Sequence, residues 1–271
     1  MGLGALGVGI FVNSGHAGRP YSMRLGIVIA PTAPPHNMAS EALALQEAGV
    51  SAVWVPDHLS GGTHFRPPWF AMPIVLAAIA ERCSDVLLGP LVASMVLRPA
   101  ATLRSEMEAV AAIAPGRLRV ALGVGSRSDA NVTGLSRSAA HLAEYAGDTV
   151  SLAYPLYIAS SSPGTIAVAA CFDGWVSAGP RPEKTYSALD VAFKIALYDQ
   201  LSPGVPPGAH RIVLIDLNEP NPWISEASML DTLVPWVGRA DEVVLWHPRT
   251  FGALVGITPT RAVSLAGSIT G

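Results

Sequence analysis

AVWVPDHL (52–59) and GRLRVALGVGS (116–126) decide how this chain folds. Each is a short, nearly continuous apolar run that ends on residues a core would not choose. Asp57 and His58 close the first; a glycine-rich turn and Ser126 close the second. A run that is apolar throughout, rather than at alternate positions, marks a strand covered on both faces, hence a strand of a parallel sheet. Working outward, the same pattern recurs at 23–30, 52–56, 86–94, 118–125, 155–160, 174–178, 211–217 and 242–247. Amphipathic stretches predicted as helices follow at 38–48, 71–83, 99–113, 137–147, 163–171, 183–200, 223–238 and 258–268. Strand–helix alternation repeated eight times predicts an α/β fold of the (β/α)8 TIM-barrel type. The alternative, an open doubly wound sheet, wants a glycine-rich dinucleotide loop after its first strand. IAPTAPPHNM (29–38) has prolines there instead.

Half of the 271 residues are hydrophobic and 14% are charged. That composition suits one large core, so residues 23–271 are expected to form a single barrel domain. Residues 1–22, apolar and glycine-rich, are expected to be an extension outside that core. Net charge is −3, and the 17 lysines and arginines are spread along the chain; no basic cluster points to nucleic acid. No apolar run reaches the roughly 18 residues of a membrane span. The N-terminal stretch lacks the basic region of a secretory signal, so a cytoplasmic protein is expected. Cys83 and Cys171 lie in apolar helix-like segments and are expected to be buried, reduced thiols.

In a parallel α/β protein the carboxyl ends of the strands carry the chemistry. A histidine beside a carboxylate can exchange a proton near neutral pH, which makes His58 and Asp57 candidate catalytic groups; a polar loop capping the next turn would read the same way. In GVGSRSDAN (123–131), glycines let backbone approach a ligand closely, and Ser126, Arg127 and Ser128 could bind a phosphate or a ring carbonyl. IASSSPGTIAVAA (158–170) places three serines before Pro163 at a predicted helix start, where capping hydroxyls and unpaired N–H groups favour an anion. Ser160, Ser161, Ser162 and Gly164 are therefore candidate phosphate ligands, although a capped helix alone would explain them. Asp173, Trp175, Asp216, Asn218, Glu219, His247 and Arg249 lie near the remaining strand ends. Trp54 and Trp246 read as core. His16, His36, His64, His141 and His210 read as surface or loop residues. The chain has no HExxH, no zinc-spaced Cys/His cluster and no GxSxG elbow.

Four segments together resemble the bacterial luciferase-like superfamily, whose members use a flavin or the deazaflavin F420. They are ALQEAGVSAVWVPDHL (44–59), the stretch 76–126 with Arg98-Pro99 and Pro115-Gly116-Arg117, PLYIASSSPG (155–164) and FDGWVSAG (172–179). The resemblance implies a (β/α)8 barrel holding the isoalloxazine ring at its carboxyl mouth. His58 is similar to the histidine near the reactive part of the ring, and Asp57 to its acidic neighbour. Val92, Ala93 and Ser94 match a strand end that often carries a non-proline cis peptide beneath the ring. Ser126 and Arg127 match positions that reach the cofactor tail, and Ser160 to Gly164 the phosphate site. Ser126 stands where the sugar-phosphate dehydrogenases of the family place a glutamate, which argues against that activity. Only about 30 residues separate the fourth and fifth predicted strands, so the chain resembles a shortened member.

The expected function is therefore an F420-dependent oxidoreductase acting on a small organic substrate. An FMN-dependent monooxygenase is the first alternative. A non-catalytic or repurposed barrel, a heteromer subunit, or a cofactor-free isomerase or cyclase is the second. A homodimer is expected, with no nucleic-acid, membrane or metal partner.

Overall fold

A computed structural model describes residues 10–12, 21–47, 49–58, 69–178, 188–201, 210–216, 236 and 239–246. The strands are β1 (Ile10–Val12), β2 (Tyr21–Val28), β3 (Ala52–Val55), β4 (Leu87–Ser94), β5 (Val120–Gly123), β6 (Leu156–Ala159), β7 (Gly174–Ala178), β8 (His210–Asp216) and β9 (Glu242–Trp246). The helices are α1 (Pro35–Glu47), α2 (Met72–Arg82), α3 (Ala100–Ile113), α4 (Arg127–Thr133), α5 (Ala139–Thr149), α6 (Pro163–Ala169) and α7 (Ala188–Leu201). Strands β2 to β9 pair in parallel, each with the next. The sheet closes where β9 returns to β2, with Arg24 opposite Glu242 and Ile27 opposite Leu245. The result is the TIM barrel expected from the eight apolar runs.

Burial explains why those runs are apolar throughout. Alternate residues of β2 to β9 point into the barrel, where Val28, Ala52, Trp54, Leu91, Ala121, Tyr157, Val176, Ile212 and Val244 pack on one another. Their neighbours point outward beneath the helices, in a larger cluster that includes Val53, Val55, Leu88, Leu122 and Ile158 with Leu76, Ile79, Leu103 and Met107. Both faces of the sheet are thus removed from water.

A charged group, Glu242, lies inside the barrel. Glu242 is buried, accepts the Trp54 indole N–H at 2.7 Å, and lies 3.6 Å from the Arg24 guanidinium. Burial raises its pKa, with Arg24 and the indole opposing. Gly26 makes the space: a Cβ there would sit 2.6 Å from the Glu242 carboxylate. This cluster is at the amino-terminal end of the strands, away from the mouth.

Several expectations change. β2 begins at Tyr21, and β1 pairs with it antiparallel, Ile10 opposite Met23. The segment after Ser126 contains a helix, α4, that falls outside the predicted helices. Its seven residues are too polar and too few for a 3.6-residue apolar pattern to show, yet both ends are capped. Ser126 Oγ accepts the Asp129 N–H, and Gly134 follows in the left-handed conformation. Cys83 is buried as expected, but Cys171 is exposed, because α6 ends at Ala169 and Cys171 falls in the turn beyond it. His210 is a β8 residue rather than a loop residue, with its ring against Tyr157 and the Arg24 guanidinium. Trp54 is core, while Trp246 is only partly buried. The helix expected at 223–238, apart from Trp236, the helix expected at 258–268, and His16, His64, Asn218, Glu219, His247 and Arg249 lie outside the described residues. No described helix is long and apolar enough to cross a membrane, and no described group of His, Cys, Asp or Glu could hold a metal ion.

Candidate active site

The strand ends converge as the barrel requires. A cavity of about 440 Å³ opens at the carboxyl mouth, lined by His58 after β3, Val92 and Ser94 of β4, and Gly123 to Ser126 at and after β5. Ala159 of β6, Ser160 to Ser162 after it, Thr165 of α6, Val176 of β7, Leu214 of β8 and Arg137 complete the wall. The Leu91–Val92 peptide is cis, at the strand end for which the family resemblance implies such a bond.

The pair adjacent in sequence splits. Asp57 is not among the cavity-lining residues; its carboxylate is 3% exposed and accepts the Ser94 backbone N–H at 3.1 Å and the Arg98 guanidinium. Arg98 also reaches Glu106, 3.2 Å away, and its carbonyl accepts the Tyr145 hydroxyl at 2.8 Å. Burial opposes the Arg98 charge, but Asp57 and Glu106 outweigh it and raise its pKa. Burial also raises the Glu106 and Tyr145 pKa values. Asp57 is thus an anchored anion that braces the β3 and β4 ends from below.

His58 does face the cavity. Its Nδ1 lies 2.9 Å from Asp129 Oδ2, and its ring meets Trp69 edge-on, centroids 5.6 Å apart. Ser126 supports that carboxylate: its hydroxyl donates to Asp129 Oδ2 at 2.6 Å. Asp129 is missing from the sequence candidates, because α4 shows no apolar periodicity; the Ser-x-x-Asp spacing at 126–129 is the capping signal that marks it.

On the cavity floor, Ser94 is fully buried, and its hydroxyl has no hydrogen-bond partner. A buried hydroxyl left unpaired is costly, so one that lines a cavity marks where a polar ligand atom belongs. Gly125, at φ 73°, leaves the floor open: a Cβ there would collide with Ser94 Oγ and lie 2.6 Å from Val96 Cγ2. Ala93 is buried outward among the core rather than into the cavity.

The three serines do different things. Ser160 Oγ accepts the Trp175 indole N–H at 2.8 Å. Ser162 caps α6 in a capping box with Thr165. Ser161 is exposed on the cavity wall, whereas Gly164, also exposed, lies outside the lining. Arg137, unremarked in the sequence, lines the same wall and donates to the Gly125 carbonyl at 2.7 and 3.0 Å. For Arg127 the backbone opens α4; its side chain is outside the description. Asp173 lies at the opposite end, accepting the Leu156 N–H at 2.8 Å.

A (β/α)8 barrel with an open, partly polar cavity at its carboxyl mouth is the class these features define. The luciferase-like monooxygenase family model matches residues 6–147, a little over half of the chain, and the chain belongs to that family. Over 135 residues it is 30% identical to the F420-dependent hydroxymycolic acid dehydrogenase of Mycobacterium tuberculosis strain H37Rv; the match takes in 47% of this chain and 36% of that protein. The chain therefore spans about a third of the length of that curated relative. Among solved structures it is similar to an F420-dependent secondary alcohol dehydrogenase in complex with an F420-acetone adduct, with TM-score 0.69, 13% identity, and 90% of this chain and 98% of that one covered. It is also similar to the FMN-complexed oxygenating constituent of 3,6-diketocamphane monooxygenase from Pseudomonas putida, with TM-score 0.55, 12% identity, and 71% and 66% covered. At these identities the structural likenesses show the fold.

Proposed function

We propose that this protein is an F420-dependent oxidoreductase that transfers hydride between the deazaflavin and a small organic substrate. The observation that carries the reading is the buried, unpartnered Ser94 hydroxyl on a glycine floor, beneath a cavity rimmed by His58. The residues present fit the cofactor: Ser94 would hydrogen-bond a polar edge of the ring, and the open floor at Gly123 and Gly125 would let the ring lie close to the backbone. Arg137 and Ser161 would hold the phosphate of its tail, as a cation and a hydroxyl suit an anion. The cofactor, when bound, supplies the hydride chemistry; the protein supplies binding, orientation and proton control. His58 would hold or give up the proton that accompanies hydride transfer to or from a carbonyl or alcohol carbon. The F420-dependent relative in M. tuberculosis favours the deazaflavin over FMN.

Titration of the purified protein with F420 and, separately, FMN, followed by fluorescence quenching, tests this. Micromolar F420 binding that weakens in Ser94→Ala is expected. FMN binding without F420 binding would shift the reading to a flavin monooxygenase, and failure of both would overturn it.

A further inference from the structure

The carboxylate that serves His58 comes from the far end of the site rather than from the neighbouring residue. Asp57 is committed to Ser94 and Arg98. Asp129 Oδ2, 71 residues along the chain, lies 2.9 Å from His58 Nδ1. Asp129 is 3% exposed and is itself held: its Oδ2 accepts the Ser126 hydroxyl at 2.6 Å, and its backbone N–H donates to Ser126 Oγ at 3.0 Å.

We propose that Asp129 is a positioning residue that keeps the His58 proton on Nδ1 and so makes Nε2 the atom that exchanges protons with a ligand in the cavity. An ionised carboxylate only accepts hydrogen bonds. At 2.9 Å from its oxygen, an unprotonated Nδ1 would set lone pair against lone pair. The proton therefore stays on Nδ1 whether the ring is neutral or cationic, and Nε2 alone gains and loses one. The same pairing fixes the plane of the ring, which the edge contact with Trp69 supports. The connection between β5 and β6, short as it is, supplies this group: α4 exists because Ser126 caps it, and that cap points Asp129 at His58. The inference rests on the oxidoreductase reading only for what meets Nε2.

Nitrogen-15 spectra of the histidine rings, recorded without cofactor, test the pair directly, with the His58 signals assigned by their loss in His58→Ala. A protonated Nδ1 and an unprotonated Nε2 at neutral to alkaline pH are expected; the reverse tautomer in the unsubstituted protein overturns the proposal, with no variant required. Asp129→Ala is expected to change the tautomer ratio roughly tenfold toward Nε2–H, as loss of a charge-assisted hydrogen bond implies. An unchanged ratio in that variant overturns it. Adding F420 is expected to move the Nε2 signal. A Nε2 signal unmoved by bound cofactor overturns the placement of that atom, whereas failure of F420 to bind at all tells against the oxidoreductase reading and leaves the pair intact.

Discussion

Arg98 reaches back across the rim of the barrel to the buried carboxylate of Asp57, and through it ties the end of β3 to the start of α3. The pair is shielded: the Arg98 side chain is 17% exposed and that of Asp57 only 3%. Removing one partner of a shielded ion pair leaves the other charge without compensation, which typically costs about 3–5 kcal/mol. Arg98→Met is expected to lower unfolding free energy by about 3 kcal/mol, toward the low end because Arg98 keeps some solvent. Urea denaturation measures it. Asp57→Asn combined with Arg98→Met should cost less than the sum of the single changes, and strict additivity would show that the two do not act as a pair.

Ser94 separates binding from stability. Its hydroxyl is buried without a partner, so Ser94→Ala removes an unsatisfied group and should leave stability within about 0.5 kcal/mol of the parent or slightly above it. If the hydroxyl meets the cofactor, the same change should weaken binding by roughly fivefold to tenfold, the worth of one hydrogen bond. Thermal melts and cofactor titration on the same preparation give both readings.

Gly125→Ala probes the floor. The residue sits at φ 73°, and a Cβ would meet Ser94 Oγ and Val96. The left-handed backbone costs a side chain roughly 1 kcal/mol, and the contacts add to that, so a loss of about 1–3 kcal/mol is expected. Binding should fall as well, because Ser94 must move. By contrast, Gly134→Ala, at φ 70° with nothing within 4 Å, should incur the backbone cost alone and leave binding unchanged.

Glu41 on α1 gives the protein a pH dependence remote from the cavity. Burial pushes its carboxyl up from 4.5 to about 7. A carboxyl whose folded value is raised favours the folded state while protonated. That contribution is complete below pH 4.5 and is lost as pH rises through 7. Glu41→Gln should therefore match the parent below about pH 4.5 and exceed it at pH 8. The expected gap there is about 1–2 kcal/mol, smaller than the full shift implies because the group is partly solvated. Melting temperatures of both proteins from pH 4.5 to 8 read it; equal curves would remove Glu41 as the cause.

Sequence by itself determined the barrel. Runs such as AVWV (52–55) and VALG (120–123) are apolar at every residue because inward and outward faces are both buried, and that property is local. It also located the mouth: Asp57, His58, Ser94, Ser126 and the serines at 160–162 all fall at carboxyl ends of strands, where a parallel barrel exposes its residues. What tertiary structure alone decided is which of these groups meet. Asp57 is adjacent to His58 in the chain, yet it pairs with Arg98, while His58 pairs with Asp129. Likewise, Ser160 turns to Trp175, and Arg137 comes to line the same cavity as Ser161. Closing the sheet sets strand ends around a ring, so partners are assigned by angular position and by the direction each side chain leaves its strand. Neither quantity is written in sequence separation, and α4, held by caps at both ends rather than by an apolar stripe, is the element through which that difference decides the chemistry of His58.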